Sequence, residues 1–367
     1  MQRRVFLKKG LVGGGAVAAA VALPEATLAE GPIHWKMATT WPKNFPGLGT
    51  GANYLASLIE EMSGGRLKVK VYGDKELVGA FEVFDAVSRG TVQMGHGAAY
   101  YWKGKHPATQ FFASVPFGLT AQEMNSWLYH GGGLALWTEL YEPFGLIPSP
   151  IGNTGVQMGG WFNKEIRSVD DLQGLKMRIP GLGGEVLKRA GGTPVSLPGG
   201  EIFLALQSGA IDATEWVGPY NDLAFGLHKA AKFYYYPGWH EPGTTLEGLI
   251  NKKAFEALPK DLQSIVLNAC KVANQDMLAD LTARNNDALA QLVQQSAQGK
   301  EGHGVRVLKF PDDVLKKLRT LSEEVVAEVA TADAISQKVY QSYKGFREKV
   351  AAWHLISEQA YLNARTL

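Results

Sequence analysis

The sequence holds one cysteine, Cys270. That excludes an intrachain disulfide and any thiolate-rich zinc or iron–sulfur site. Charge of one sign is also lacking: 37 Lys and Arg stand against 35 Asp and Glu, so no basic field extends over the chain to recruit nucleic acid. H-E-x-x-H is absent, which leaves a zincin unsupported, and so is the G-x-S-x-G elbow of the α/β-hydrolases. No run past residue 29 reaches the 18 apolar residues that a membrane-spanning helix needs. What is present is ordinary globular composition, 46% hydrophobic and 20% charged over 367 residues. That length is enough for two domains, and the balance is incompatible with disorder as the overall state.

The first 29 residues read as a signal peptide. Arg3 and Arg4 open a basic region followed by Val5-Phe6-Leu7-Lys8, and Gly10 to Leu23 is apolar but rich in Gly and Ala. That stretch is too short to cross a bilayer core of ~30 Å. Thr27-Leu28-Ala29 then places small residues at the −3 and −1 positions of a cleavage site. The pattern resembles twin-arginine export signals. Removing it takes away Arg3, Arg4, Lys8, Lys9 and Glu25, leaving 33 basic and 34 acidic residues. An exported chain without disulfides must rely on its core.

Beyond the leader, Ile33 to Ala38 alternates as a strand does, and Leu55, Leu58, Ile59 and Met62 follow at helical spacing up to Gly64-Gly65. Leu67 to Tyr72 is a second strand, Phe81 to Ser88 a second helix, and Val92 to His96 a third strand. This β-α-β-α-β series predicts a parallel sheet with helices on its faces. Thr120-Ala121-Gln122-Glu123 is a capping box that starts a helix running towards Tyr141. Ile147–Ile151 and Val156–Phe162 read as strands. A second α/β unit follows: strand Leu175–Ile179, then helices over Gly184–Ala190 and Ile202–Gln207. Ala205 to Asp212 echoes Asp85 to Val92, each a helix ending at Gly with a strand directly after it. Two similar halves predict two lobes with a ligand cleft between them. Leu246–Ile250 is a further strand, Asp261 to about Gln295 is helical, Val305–Phe310 is a short strand, and the chain is helical from Asp312 onward.

Several glycine motifs are weak. Gly47-Leu48-Gly49-Thr50-Gly51-Ala52 fits G-x-G-x-x-A and would suit an exported nucleotide-dependent oxidoreductase. Thr40 to Pro46, with two prolines, separates it from its strand, whereas the fingerprint needs a tight turn. Gly181-Leu182-Gly183-Gly184 lacks the third glycine, and His130-Gly131-Gly132-Gly133 has no nucleophile elbow to serve.

The informative residues are polar ones inside apolar or glycine-rich stretches. Gln157 lies in Asn153–Trp161, Arg178 ends Lys176–Ile179, Glu215 and Trp216 lie in Asp212–Pro219, and Glu241 follows Pro237-Gly238-Trp239-His240. Burying such groups singly is costly, so they pair with one another or bind something. Arg178 offers a planar fork to a carboxylate, and two glutamates with an amide or backbone oxygen suit a hard cation such as Na⁺ or Ca²⁺. A structural ion pair, such as Arg178 with Glu215, is the alternative for any one of them. Taken together, they fit an organic anion bridged to the protein by a cation.

Asp212 to Pro219, Asn153 to Phe162, Tyr234 to Trp239 and Leu175 to Arg178 resemble the solute-binding subunits of tripartite ATP-independent periplasmic (TRAP) transporters. Within them they resemble the subgroup that binds α-keto and α-hydroxy acids such as pyruvate and lactate. The resemblance covers nearly all of the chain after the leader. It implies an α/β, two-lobed periplasmic-binding-protein fold with an interlobe cleft, a long linking helix and a helical C-terminus. It implies lobe 1 mainly over 30–152, lobe 2 mainly over 153–250, a helix and strand shared between lobes over 251–310, and C-terminal helices over 311–367. Those last helices either pack on the chain's own lobes or make a homodimer contact. The resemblance further implies that Arg178 grips the substrate carboxylate, and that Gln157, Glu215, the backbone carbonyl of Trp216 and Glu241 surround a sodium or calcium ion that the substrate also touches. Tyr100, Tyr101, Trp102 and Asn153 match the other side of the pocket, and Trp41 an aromatic wall. His240 and Trp41 are placed to set pocket volume. The expected function is capture of a small carboxylate in the periplasm for a TRAP membrane permease, without catalysis. A sensor's ligand-binding module has the same sequence features.

Overall fold

In the computed structural model, which describes residues 31–298 and 304–367, the first sheet is built as the alternation predicts. The expected leader over 1–29 lies outside the described residues. Strands Ile33–Thr39 (β1), Leu67–Tyr72 (β2) and Met94–Gly97 (β3) pair in parallel, joined by helices Leu48–Met62 (α1) and Val83–Ser88 (α2). Trp35, Met37, Leu55, Ile59 and Met94 close one face of this sheet.

The helix expected from Thr120 towards Tyr141 is two helices, Ala121–His130 (α3) and Gly133–Tyr141 (α4). The capping box forms, with the Thr120 N–H donating to Glu123 at 2.8 Å. Gly132 then adopts φ 87°, a left-handed conformation that ends the helix and starts the next. Leu146–Asn153 (β4) follows at the sheet's edge, where its Pro148 and Pro150 are tolerated.

The second sheet takes strands Gly160–Phe162 (β5), Lys176–Arg178 (β6), Thr193–Val195 (β7), Ala213–Thr214 (β8) and Phe233–Tyr236 (β9). Around them lie helices Gly181–Arg189 (α5), Gly199–Gln207 (α6), Pro219–Ala224 (α7) and Leu227–Ala230 (α8). β5 is shorter than the strand expected over Val156–Phe162. Residues Gln157 and Met158 leave the sheet and donate their N–H groups to the carbonyls of Glu241 and Val217. That detour forms part of the site described below.

Strand Thr245–Asn251 (β10) returns to the first sheet, between β3 and β4 and antiparallel to both. It falls inside the 153–250 range assigned mainly to lobe 2. Its reading as the strand after the second unit was right, but periodicity does not say which sheet a strand joins. After helix Lys252–Glu256 (α9), helix Lys260–Gln298 (α10, 39 residues) packs on α1, β4 and α7, and so touches both lobes. Strand Arg306–Lys309 (β11) completes the second sheet beside β9. Helix Asp312–Ala330 (α11) packs on α5, and Ala334–Ile356 (α12) on α3 and α4. Helix Glu358–Ala364 (α13) follows, and Trp353, Ile356 and Tyr361 are exposed. The chain thus passes between the lobes after β4, before β10 and along α10, and returns to the first between α11 and α12.

β10 buries all seven of its residues, Glu247 among them. Trp102 Nε1 and Tyr141 hydroxyl (3.0 Å) donate to its carboxylate. Burial outweighs these donors and pushes its pKa up to about 8. A raised carboxyl pKa favours the folded state below the unfolded value, and the benefit is lost as pH rises towards 8. Glu247→Gln is therefore expected to raise thermal stability at pH 9, by on the order of 1–3 kcal/mol. At pH 5 it is expected to be nearly neutral. Thermal melts of both proteins at the two pH values check this.

Candidate functional site

Arg178 is brought to the centre by β6, whose neighbours β7 and β8 bury it to 1% exposure. A buried guanidinium needs acceptors. Its Nε donates to the carbonyl of Leu197 at 3.2 Å, Nη1 to the Glu215 carboxylate, and Nη2 to the Tyr101 hydroxyl at 3.3 Å. The Trp216 ring lies 5.1 Å from the guanidinium carbon. Burial opposes the arginine's charge, but Glu215 and the two tyrosines outweigh it and hold its pKa above the ordinary value.

Glu215 and Trp216 sit just past β8, on a segment tied down by Asp222. That carboxylate accepts from the Val217 N–H (3.2 Å), Trp161 Nε1 (2.9 Å) and Tyr234 hydroxyl (2.7 Å). Burial pushes the Asp222 pKa up to about 6 against these donors. Nothing in the sequence around α7 marks Asp222 as more than a helix-surface residue.

Glu241 arrives from the β9–β10 connection and is also buried. It accepts from Gln157 Nε2 at 2.8 Å and from the Thr244 hydroxyl. Burial and then the charge of Glu215 raise its pKa well above the carboxylate range. Two oxygen atoms here, Gln157 Oε1 and Glu215 Oε2, are buried without a hydrogen-bond partner among the described residues, as are Trp216 Nε1 and both ring nitrogens of His240. Oxygen atoms left in this state beside two carboxylates fit a cation.

The first lobe supplies the facing wall. Trp41, Tyr100 and Tyr101 line the cavity with Leu48, Thr154, Gln157, Trp216, Val217 and Leu246. Trp41 Nε1 donates to His96 Nδ1 at 3.2 Å, which fixes the indole. The cavity's water-sized space is about 10 Å³, so in this arrangement it holds about one water. The ion pairs Lys75–Glu201 (2.8 Å) and Lys103–Glu185 (2.7 Å) join the lobes. A larger groove of about 640 Å³ lies outside, lined by Lys103, Glu185, Arg189 and Glu328, whose charges pair with one another.

Of the residues singled out in the sequence, Arg178, Gln157, Glu215, Trp216, Glu241, Tyr100, Tyr101 and Trp41 are brought together. Asn153 is buried next to Thr154, which lines the cavity. Its amide donates to the Gly243 carbonyl (3.3 Å) and Thr245 hydroxyl (3.5 Å), and its oxygen accepts from the Gly155 N–H (2.9 Å). The side chain braces the lobe crossing after β4; like Arg178, Glu215 and Glu241, it lies behind the residues that line the cavity. Thr154 and Thr244 were missed; Thr154 lies within the quoted Asn153–Trp161 stretch, and Thr244 three residues past Glu241. The glycines at 47–52 serve packing: a Cβ on Gly49 would approach the Pro42 carbonyl to 2.9 Å, and one on Gly51 would collide with Met277. That removes the support for a nucleotide site.

A sequence profile of bacterial extracellular solute-binding protein family 7 (DctP) matches residues 37–333. The chain is 47% identical over 331 residues to a monocarboxylate 2-oxoacid-binding periplasmic protein of Nostoc sp., covering 90% of this chain and 88% of that one. A TRAP periplasmic solute-binding protein of Colwellia psychrerythraea, solved with bound calcium and pyruvate, superposes with a TM-score of 0.86 at 43% identity. It covers 91% of this chain and 99% of its own. One from Pseudoalteromonas atlantica, with bound sodium and pyruvate, gives 0.86 at 44%, covering 90% and 99%. The chain belongs to family 7 of the bacterial extracellular solute-binding proteins and has their two-lobed fold.

Proposed function

We propose that the chain captures a small 2-oxo or 2-hydroxy monocarboxylate, of the pyruvate or lactate kind, together with Na⁺ or Ca²⁺ in the periplasm. It then hands the acid to a TRAP membrane permease. One observation carries this reading: a buried arginine is paired with one of two neighbouring buried glutamates, beside a small cavity walled by Gln157 and Trp216, and Gln157 Oε1 and Glu215 Oε2 are left unpartnered among the described residues. Glu215, Glu241, the Gln157 amide oxygen and the Trp216 carbonyl would hold the cation, which supplies the positive charge that two glutamates and an incoming acid lack.

Arg178 and Glu215 satisfy each other in the closed cavity. On capture, the acid's carboxylate takes Glu215's place on Arg178, and the cation takes Arg178's place on Glu215. Calcium leaves the filled site neutral, so burial remains tolerable. Trp41, Tyr100 and Tyr101 bound the short acyl chain. An acid larger than one water enters only when the lobes part, which makes capture a hinge motion that shifts a population. No bond is made or broken. The same reading gives the exposed Trp353, Ile356 and Tyr361 face to a second copy of the chain.

Thermal unfolding of the protein stripped of ligand and metal tests the assignment. Pyruvate, lactate, longer 2-oxo acids and a dicarboxylate are each paired with Na⁺, Ca²⁺ or neither. Ligand at ~100 times its Kd adds about 2.7 kcal/mol, a rise of several degrees at roughly 2–4 °C per kcal/mol. The expected result is a shift that needs both monocarboxylate and cation. A flat panel on folded protein overturns the ligand class.

A further inference from the structure

We propose that His240 is a further donor of the cation site, so that the site takes first-row divalent transition metals as well as sodium or calcium. The proposal rests on the reading of a cation between Glu215 and Glu241.

His240 is 1% exposed, and neither ring nitrogen has a hydrogen-bond partner among the described residues. A buried imidazole with both nitrogens unsatisfied is costly and needs a reason. Its Nε2 lies 3.5 Å from Glu215 Oε2, itself unpartnered. That separation is too long for a good hydrogen bond. It is about the spacing of two donors on one small ion, since metal–ligand bonds of ~2.0–2.4 Å place neighbouring donors roughly 3–3.5 Å apart. Ligand atoms of Glu215, His240 and Glu241 all lie within 4.8 Å of one another. With Gln157 Oε1 the described donors are one imidazole, two carboxylates and one amide oxygen.

The donor chemistry separates the metals. Sodium and calcium take oxygen ligands and gain little from imidazole. Cobalt, nickel and zinc bind imidazole well and outrank manganese in affinity for mixed nitrogen and oxygen sites. His240 therefore matters most for the transition ions, and its loss should leave the hard-ion site standing.

The test uses the whole protein stripped with chelator, titrated with Co²⁺ or Ca²⁺, each with pyruvate present. Calorimetry gives affinities. Paramagnetically shifted imidazole N–H signals report nitrogen ligation by Co²⁺. The wild type is expected to bind Co²⁺ at least about 10-fold more tightly than Ca²⁺, and to show a shifted imidazole signal. His240→Ala and His240→Gln are expected to lose about 10-fold or more in Co²⁺ affinity and less than about 3-fold in Ca²⁺ affinity. Equal losses for both ions, or an unchanged Co²⁺ affinity, overturn the proposal. Should both variants fail to fold, a Co²⁺-loaded wild type without a shifted imidazole signal overturns it alone. Calcium-dependent pyruvate binding without a cobalt preference sinks this inference and leaves the functional reading intact. A wild type that binds neither ion sinks both.

Discussion

Arg178→Ala is expected to weaken binding of pyruvate, or whichever 2-oxo acid binds best, by about 100-fold or more. Truncating one partner of a buried charge pair costs roughly 2–5 kcal/mol of affinity, most of it from leaving the other charge unmatched. The guanidinium is paired with Glu215 and donates to the Tyr101 hydroxyl of the facing wall. The same substitution is expected to destabilise the unliganded protein by ~3–5 kcal/mol, because Glu215 is then a buried carboxylate without its partner. Two further variants separate folding from recognition. Arg178→Lys keeps a charge near Glu215 but loses the fork, so stability should recover more than affinity does. Arg178→Met with Glu215→Gln removes both charges, which for buried pairs is often neutral for folding. That double variant should melt near the wild type and still fail to bind. Calorimetry with parallel thermal melts checks all three. An Arg178→Ala protein that binds within about 3-fold of wild type would mean the acid is gripped elsewhere.

The parts of the fold visible in the sequence were those governed by local period. β1, α1, β2 and α2 follow from alternation, helical spacing and terminating glycines, and they stand where those signals put them. Arg178, Glu215 and Glu241 were visible for a related reason, since charges inside apolar stretches conflict with their surroundings unless something answers them. What stayed hidden depends on contacts distant in sequence. Glu247 looks like one polar residue in an alternating strand, yet it is central because β10 inserts between β3 and β4. Asp222 reads as a surface carboxylate on α7, but three donors from β5, β9 and the Val217 backbone converge on it. Asn153 lay in the same motif as Thr154 and Gln157, which line the cavity. Its own reach was decided by where Gly243 and Thr245 pass.

Removing the cation is expected to abolish high-affinity acid binding, and restoring it to bring binding back. Two buried glutamates repel an incoming carboxylate, and among the described residues one buried arginine opposes them. If the ion raises acid affinity by a given factor, the acid must raise ion affinity equally, because linkage is reciprocal. We expect about 100-fold in each direction, near the upper end of common coupling energies. The pH dependence has a definite sign. Burial and the neighbouring Glu215 raise the Glu241 pKa in the metal-free protein, so a cation must displace a proton there. Ion affinity should therefore rise with pH until Glu241 ionises unaided. The metal-free protein should move the other way: a raised carboxyl pKa stabilises the fold at low pH, and that stabilisation is lost as pH rises through the folded value. The melting difference between ion-loaded and stripped protein should thus widen from pH 5 to pH 8. Glu241→Gln separates the two effects. It keeps a hydrogen-bonding side chain beside Gln157 and Thr244 but removes the repelling charge, so the stripped protein should be as stable or more so at pH 8. Its ion affinity should fall by about 30-fold or more, and acid affinity with it. Paired melts and calorimetry at pH 5 and pH 8 decide the matter: acid affinity indifferent to chelator at both values would remove the cation from the mechanism.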